Sequence, residues 1–177
     1  GDTTLAVNSV LLQFFMFFSF VMDGFAYAAE ALTGRFMGEQ SKSKLLSTVK
    51  LLFRWGVGFA ALFSLTYVFL GGHILRLLTD NEEVLNHSEQ FIYWVWAIPL
   101  ITFSAFLWDG IFIGATASRS MRNAMLISTL GLFIPMYFLF IGPLGNHGLW
   151  LAFLLFQLSR GIIQTIQSPR SIFKKFN

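Results

Sequence analysis

The sequence predicts an all-α fold, a polytopic membrane helix bundle with about five transmembrane helices. Hydrophobic residues make up 55% of the 177 residues and charged residues only 12%, and the mean hydropathy is +0.66. This composition excludes a soluble domain, whose surface needs more charge, and intrinsic disorder, which requires low hydrophobicity. In addition, Lys and Arg residues concentrate in alternate connections between the apolar stretches, as in multi-pass membrane proteins.

Five apolar stretches are each close to the length of about 20 residues that an α-helix needs to cross the bilayer core. They are too long and too continuous for buried strands, and they lack the alternation of an outer-membrane barrel. The first is long enough to cross the membrane with a tilt. The predicted spans are residues 5–33, 51–70, 91–116, 125–143 and 148–166.

The connections between these spans predict the orientation of the chain. Segment 38–48 is polar, rich in Ser and Lys, and predicts a cytoplasmic connector, with a short interfacial helix as an alternative. Basic residues also follow spans three and five, and Arg160, in the last turns of span five, is grouped with them. The connection between spans two and three instead holds four acids and Arg76. The positive-inside rule then places the N-terminus outside and the C-terminus in the cytoplasm. We therefore expect a multi-pass protein of the cell's inner (plasma) membrane, surrounded by membrane lipids.

Three acids fall inside the predicted spans, and they are the candidates for ion or substrate binding: Asp109, Asp23 and Glu30. An ionisable group at the bilayer centre costs at least about 2.5–3.5 kcal/mol, so such residues usually face the bundle interior or a water-filled pathway. Asp23 and Asp109 are expected at similar depth, since both helices run inwards from the outer surface. Alternatively, a buried acid bonds a polar neighbour and only locks the packing, and Glu30 is close enough to Arg35 to be a surface charge.

Two prolines interrupt the backbone hydrogen bonding of the predicted spans. Pro99 lies in span three and Pro135 in span four, and each is expected to kink its helix. Bent helices free carbonyl groups for cations and allow gating in transporters. Prolines are also tolerated in membrane helices for packing alone, and the sequence does not decide between these roles.

The remaining side chains argue against an enzyme. The chain has no Cys, and its three His residues map to the outer side, far apart in sequence. This pattern predicts no metal site and no catalytic nucleophile. The net charge of +3 is explained by basic loops that set membrane orientation, so no nucleic-acid partner is expected.

Three segments carry a resemblance to a known family. The run Val21–Gly38, VMDGFAYAAEALTGRFMG, is similar to the eighth helix of the multidrug and toxic compound extrusion (MATE) family, closest to its DinF-like branch. The opening GDTTLAVNSVLLQ resembles the turn from helix seven into helix eight. The run Trp108–Arg122, WDGIFIGATASRSMR, resembles the tenth helix with its acid, its Gly–Ala pair and its basic inner end.

The resemblance covers essentially the whole chain and implies helices eight to twelve of a twelve-helix antiporter with two six-helix lobes. It implies export of lipophilic cationic or other amphipathic small molecules in exchange for protons or sodium, with no cofactor besides the coupling ion. The chain is then an incomplete C-terminal lobe, and the N-terminal lobe of the same transporter is its partner.

The resemblance also implies roles for two of the candidate acids. Asp109 matches a tenth-helix acid that helps form a cation site in some members, and Asp23 matches an acid of the DinF-like eighth helix. After Gly114–Ala115 the chain reads TASRSMRN and lacks the second acid of sodium-coupled relatives. This departure leaves the coupling ion, proton or sodium, open.

Other functions are distinguished by the same residues. A lipid-linked oligosaccharide flippase of the same superfamily favours a cationic central cavity, whereas the spans here hold acids. A non-transporting membrane scaffold would tolerate loss of all three in-span acids apart from effects on stability. A membrane enzyme would need a nucleophile or a metal dyad within the spans.

Overall fold

The computed structural model describes residues 1–176, which are almost entirely helical. Five helices are long and apolar enough to cross a membrane, which confirms the predicted all-α bundle. The elements, in chain order, are α1 (Asp2–Gly38), α2 (Lys42–Leu78), α3 (Glu82–Ser88), α4 (Ile92–Gly114), α5 (Ser118–Ser128), α6 (Ile134–Leu144) and α7 (Asn146–Ser171). A π-helical segment, Thr129–Phe133, joins α5 to α6 into one long helix, and a 3-10 turn, Phe173–Phe176, follows α7.

The helices extend beyond the apolar stretches that predicted them. Span two was predicted at 51–70, but α2 runs from Lys42 to Leu78. Its 37 residues rise about 55 Å, more than the bilayer core of about 30 Å. Only residues 39–41 separate α1 from α2, so most of the polar segment predicted as a connector at 38–48 is helical and forms the first turns of α2. Hydropathy marks the membrane-embedded part of a helix, whereas the backbone stays helical in the polar turns beyond it.

Helix α4 lies at the centre of the bundle and contacts α1, α2 and α7. Its closest contact is with α1, where Gly110 and Gly114 lie against the backbone of Ala26 and Glu30. A Cβ atom at either glycine would collide with the carbonyl oxygen of the facing α1 residue. Small residues spaced four apart let two membrane helices pack backbone to backbone, and this contact fixes the register of α1 against α4.

The two ends of the bundle carry opposite charge. At one end, called the basic end, the α1–α2 turn, the α4–α5 turn and the C-terminal residues come together, and Lys175 Nζ donates to the Ala115 carbonyl at 2.7 Å. At the other, called the acidic end, the start of α1 meets α3 and the α6–α7 turn. There Thr3 Oγ1 donates to Glu83 Oε1 at 3.0 Å. Basic residues that are dispersed in sequence thus gather at one end of the fold.

Candidate functional site

The Asp109 side chain projects from α4 toward α7 and is held there by two residues. Arg160 Nη2 forms an ion pair with Asp109 Oδ2, and Gln164 Nε2 donates to Asp109 Oδ1 at 2.6 Å. The Asp109 side chain is 25% exposed and that of Arg160 14%. Both oxygens of the carboxylate therefore have a partner on one helix, and the charge of the acid is balanced by a neighbouring cation.

Arg160 is anchored on its other side as well. Its Nη1 donates to Gln157 Oε1 at 2.8 Å, and its guanidinium carbon lies 5.6 Å from the centre of the Phe156 ring. Arg160, which the sequence groups with the cytoplasmic cations, thus points at α4 and pairs with Asp109 instead of lying free at the end of α7. An arginine inside an apolar helix is stable when a carboxylate and further acceptors satisfy its donors.

Sequence reasoning missed the polar stripe on α7. Gln157, Arg160 and Gln164 are spaced three and four apart, which places them on one helical face. Gln157 is 2% exposed and Gln164 is 1% exposed. Gln164 Oε1 is buried and has no hydrogen-bond partner within residues 1–176. The signal was available in the sequence, since three long polar side chains on one face of an apolar span predict a partner across the bundle.

Asp23 lies on α1 close to the same level of the bundle. It precedes Ala26 by three residues, while Asp109 immediately precedes Gly110, which packs against Ala26. The two acids are therefore offset by about 3 Å along the parallel helices, which agrees with the similar depth expected from the sequence. Asp23 is half-buried, and its charge is within electrostatic range of Asp109.

Glu30 lies two turns further along α1, toward the basic end. Its backbone contacts Gly114 and its side chain is half-buried. Within residues 1–176 neither Glu30 nor Asp23 forms an ion pair. Arg35 instead bonds Glu39 at 2.8 Å. Hydrogen bonds from Arg35 and Lys44 lower the pKa of the Glu39 carboxyl. The structure therefore brings Asp23 and Asp109 to one level and leaves Glu30 nearer the basic end.

The two predicted prolines have different surroundings. Pro99 is buried within α4, and Ser64 Oγ of α2 donates to the Trp96 carbonyl, three residues before it, at 2.7 Å. Pro135 is exposed and follows the π-helical segment directly, at the start of α6. A π-helical turn and a proline are both recognised sites of helix bending. A gating role for either proline stays a prediction.

A cavity of about 930 Å³ opens at the acidic end, between α2, α3 and the start of α4. Its lining includes His73, Arg76, Asp80, Glu89 and Trp96. None of the three in-span acids lines this cavity. The Asp109 cluster is therefore a separate site, reached from the side of the bundle on which its carboxylate is partly exposed.

Comparison with known proteins identifies relatives of this chain. The family model MatE matches residues 1–139. The chain is 36% identical to DNA damage-inducible protein F of Escherichia coli (strain K12), over 92% of this chain and 35% of that protein. It is 26% identical to Protein DETOXIFICATION 44, chloroplastic, of Arabidopsis thaliana, over 90% of this chain and 30% of that protein. The chain thus spans about a third of the length of these curated relatives.

Proposed function

Because this chain belongs to the MatE family, the family of the DinF-like transporters, we propose that it forms helices eight to twelve of a secondary active efflux antiporter. The complete protein exports lipophilic cationic or amphipathic small molecules in exchange for protons or sodium. The partner of the chain is the N-terminal lobe of the same transporter, because alternating access requires both lobes to move around a shared site.

The observation that carries this proposal is the Asp109 carboxylate inside the bundle. Arg160 and Gln164 offset the cost of this carboxylate in a membrane helix, and 25% of the Asp109 side chain is still exposed, which leaves it accessible to a ligand. The charge of Asp23, at nearly the same depth, adds to the negative potential around it. Two carboxylates at one level of an apolar bundle favour binding of a cation, and we assign Asp109 the direct contact and Asp23 a supporting role.

The orientation follows from the charge of the two ends. We place the basic end in the cytoplasm and the acidic end outside, in the inner (plasma) membrane, because basic connections are retained on the cytoplasmic side during insertion. In this orientation Asp109 lies nearer the cytoplasmic surface, about five residues from the end of α4 at Gly114.

The flippase alternative gains no support from the site. Arg160 does place a cation inside the bundle, but the charge of Asp109 balances it. Among the other charges in the predicted spans, the two acids Asp23 and Glu30 outnumber the one further cation, Arg54, which leaves these spans negative rather than positive. A site for the anionic diphosphate of a lipid-linked sugar would need the opposite sign.

Efflux from cells that express the full-length protein tests the proposal. Asp109→Asn removes the charge with little change in volume and is expected to abolish export of a fluorescent lipophilic cation, while the amount of protein in the membrane stays unchanged. Glu39→Gln is the matched control, because it removes an exposed charge at the basic end. Export by Asp109→Asn at the wild-type rate would exclude Asp109 from the mechanism.

A further inference from the structure

We propose that Arg160 is a built-in counter-cation of Asp109, and that a lipophilic monovalent cation binds Asp109 only after Arg160 has moved off the carboxylate. This inference rests on the proposed function and adds to it a residue that sets when the cation site is available. It assigns Arg160 a positioning role, because the arginine acts through Asp109.

The charges of Arg160 and Asp109 balance each other in the ion pair. With the Arg160 guanidinium on Oδ2, the pair at the centre of the site is neutral, and a second cation that approaches the same carboxylate meets repulsion from the first. Removal of Arg160 from the carboxylate restores one negative charge to the site. The affinity of Asp109 for a mobile cation therefore depends on the position of one side chain.

Arg160 has other partners, which remain in place when it leaves Asp109. Its Nη1 bonds Gln157 Oε1 at 2.8 Å, whereas the ion pair uses Nη2. The face of Phe156 supports the guanidinium on the same helix. Arginine can thus release the carboxylate and keep two contacts on α7, so the movement does not leave a bare charge in an apolar bundle.

Gln164 is the second residue that contacts the Asp109 carboxylate. Its Nε2 holds the other carboxylate oxygen, so Asp109 stays oriented when Arg160 departs. Its Oε1 is buried without a hydrogen-bond partner among the described residues, which is unusual for a polar atom. The unpaired amide oxygen places a partial negative charge beside the carboxylate, which attracts a cation electrostatically once Arg160 has left.

A contact connects this switch to the bend in the neighbouring helix. The Phe156 ring packs edge-on against Phe133 with 5.9 Å between the ring centres. Phe133 ends the π-helical segment, two residues before Pro135. Bending of the α5–α6 helix at this point would displace Phe156, and with it the surface on which the Arg160 guanidinium rests.

Binding of tetraphenylphosphonium to the purified full-length transporter tests the proposal. Arg160→Gln leaves Asp109 without its counter-cation and is expected to lower the Kd by about tenfold. It should also slow transport turnover, because the tighter complex releases its cargo more slowly. Arg170→Gln, which removes an exposed cation from the same helix, is the matched control and should leave the Kd unchanged. An unchanged or higher Kd in Arg160→Gln would overturn the proposal.

A second variant weakens the hold of Arg160 on Asp109 by another route, in case Arg160→Gln does not fold. Gln164→Glu puts a second carboxylate within reach of Arg160, so the arginine is shared between two acids. It is expected to lower the Kd for tetraphenylphosphonium, whereas the same charge added one turn closer to the end of α7 by Gln167→Glu should have a smaller effect. Equal effects of these two variants would contradict a local role of the site.

Asp109→Asn in the same assay separates this inference from the proposed function. If Asp109→Asn abolishes binding and neither Arg160→Gln nor Gln164→Glu tightens it, only the role of Arg160 is wrong. If Asp109→Asn binds tetraphenylphosphonium with the wild-type Kd, the cation site itself is wrong and the proposed function loses its main support.

Discussion

The carboxylate of Asp109 in α4 is paired with the guanidinium of Arg160 in α7, within a bundle of mainly apolar helices. The two residues are 51 positions apart in the chain and meet because α4 and α7 run in parallel at this level. The contact of Gly161 with Ser104 on the same two helices brings the backbones close enough for the pair to form. The ion pair, with the hydrogen bond from Gln164, therefore joins α4 to α7 through polar contacts inside the bundle.

The first prediction concerns the packing that sets the level of the acids. Gly110→Leu places a side chain where the Ala26 carbonyl lies, and a backbone atom cannot move aside cheaply. We expect a destabilisation of about 1–3 kcal/mol or failure to assemble, measured as a lower thermal unfolding temperature in detergent. Gly24→Ala on α1 is the control, because no atom lies within 4 Å of its added Cβ. Equal stability of the two variants would show that α1 and α4 do not pack as described.

The second prediction concerns the carbonyl groups next to Pro99. Ser64→Ala removes the hydrogen bond to the Trp96 carbonyl and should cost about 1 kcal/mol of stability. If this bond compensates for the proline, the cost should shrink in a Pro99→Ala background, where regular helical bonding is restored. A double-mutant cycle of unfolding free energies measures the coupling. A cost that is the same in both backgrounds would mean that Ser64 acts independently of the proline.

The third prediction separates the two acids that lie at one level. In the proposed site, Asp23 acts on a bound cation only through its charge at a distance, whereas Asp109 contacts it. Asp23→Asn should therefore raise the Kd for tetraphenylphosphonium by about threefold, and less so at high salt. Asp109→Asn should abolish binding under the same conditions. Loss of binding in Asp23→Asn as complete as in Asp109→Asn would require a direct contact for both acids.

The fourth prediction concerns orientation in the membrane. The chain has no Cys, so single cysteines can be introduced one at a time, with any cysteines elsewhere in the full-length protein replaced. Asn86→Cys in α3 should react with an impermeant maleimide on intact cells, because we propose that the acidic end lies outside. Ser43→Cys, near the start of α2, should react only after permeabilisation. The reverse labelling pattern would invert the proposed topology.

Much of the fold follows from the sequence because the bilayer imposes a simple rule on it. Long runs of apolar residues form helices in a bilayer, because a helix satisfies its own backbone hydrogen bonds. Each of the five predicted runs lies in one of the five long apolar helices that residues 1–176 contain. The ends of the helices were less predictable. Lys42–Thr48 looks polar enough to be a connector, yet it continues into α2, since backbone hydrogen bonding does not stop where the hydrocarbon ends.

The site was only partly predictable for a different reason. Asp23 and Asp109 stand out because charge is rare in apolar spans, and their level could be counted from the helix starts. The partner of Arg160 was not predicted, because the position of Arg160 near a basic tail fits the positive-inside pattern without any partner inside the bundle. Only the packing of α7 on α4 shows that it points at Asp109. Local pattern identifies a charge in the membrane, whereas its partner is set by tertiary contact.

Transport by the full-length protein reconstituted in liposomes tests the central claim most directly, that Asp109 is the cation site of an ion-coupled antiporter. An imposed proton or sodium gradient should drive movement of tetraphenylphosphonium in wild type, and Asp109→Asn, reconstituted in equal amount, should show only passive leak. Gradient-driven transport by Asp109→Asn at the wild-type rate would contradict the account.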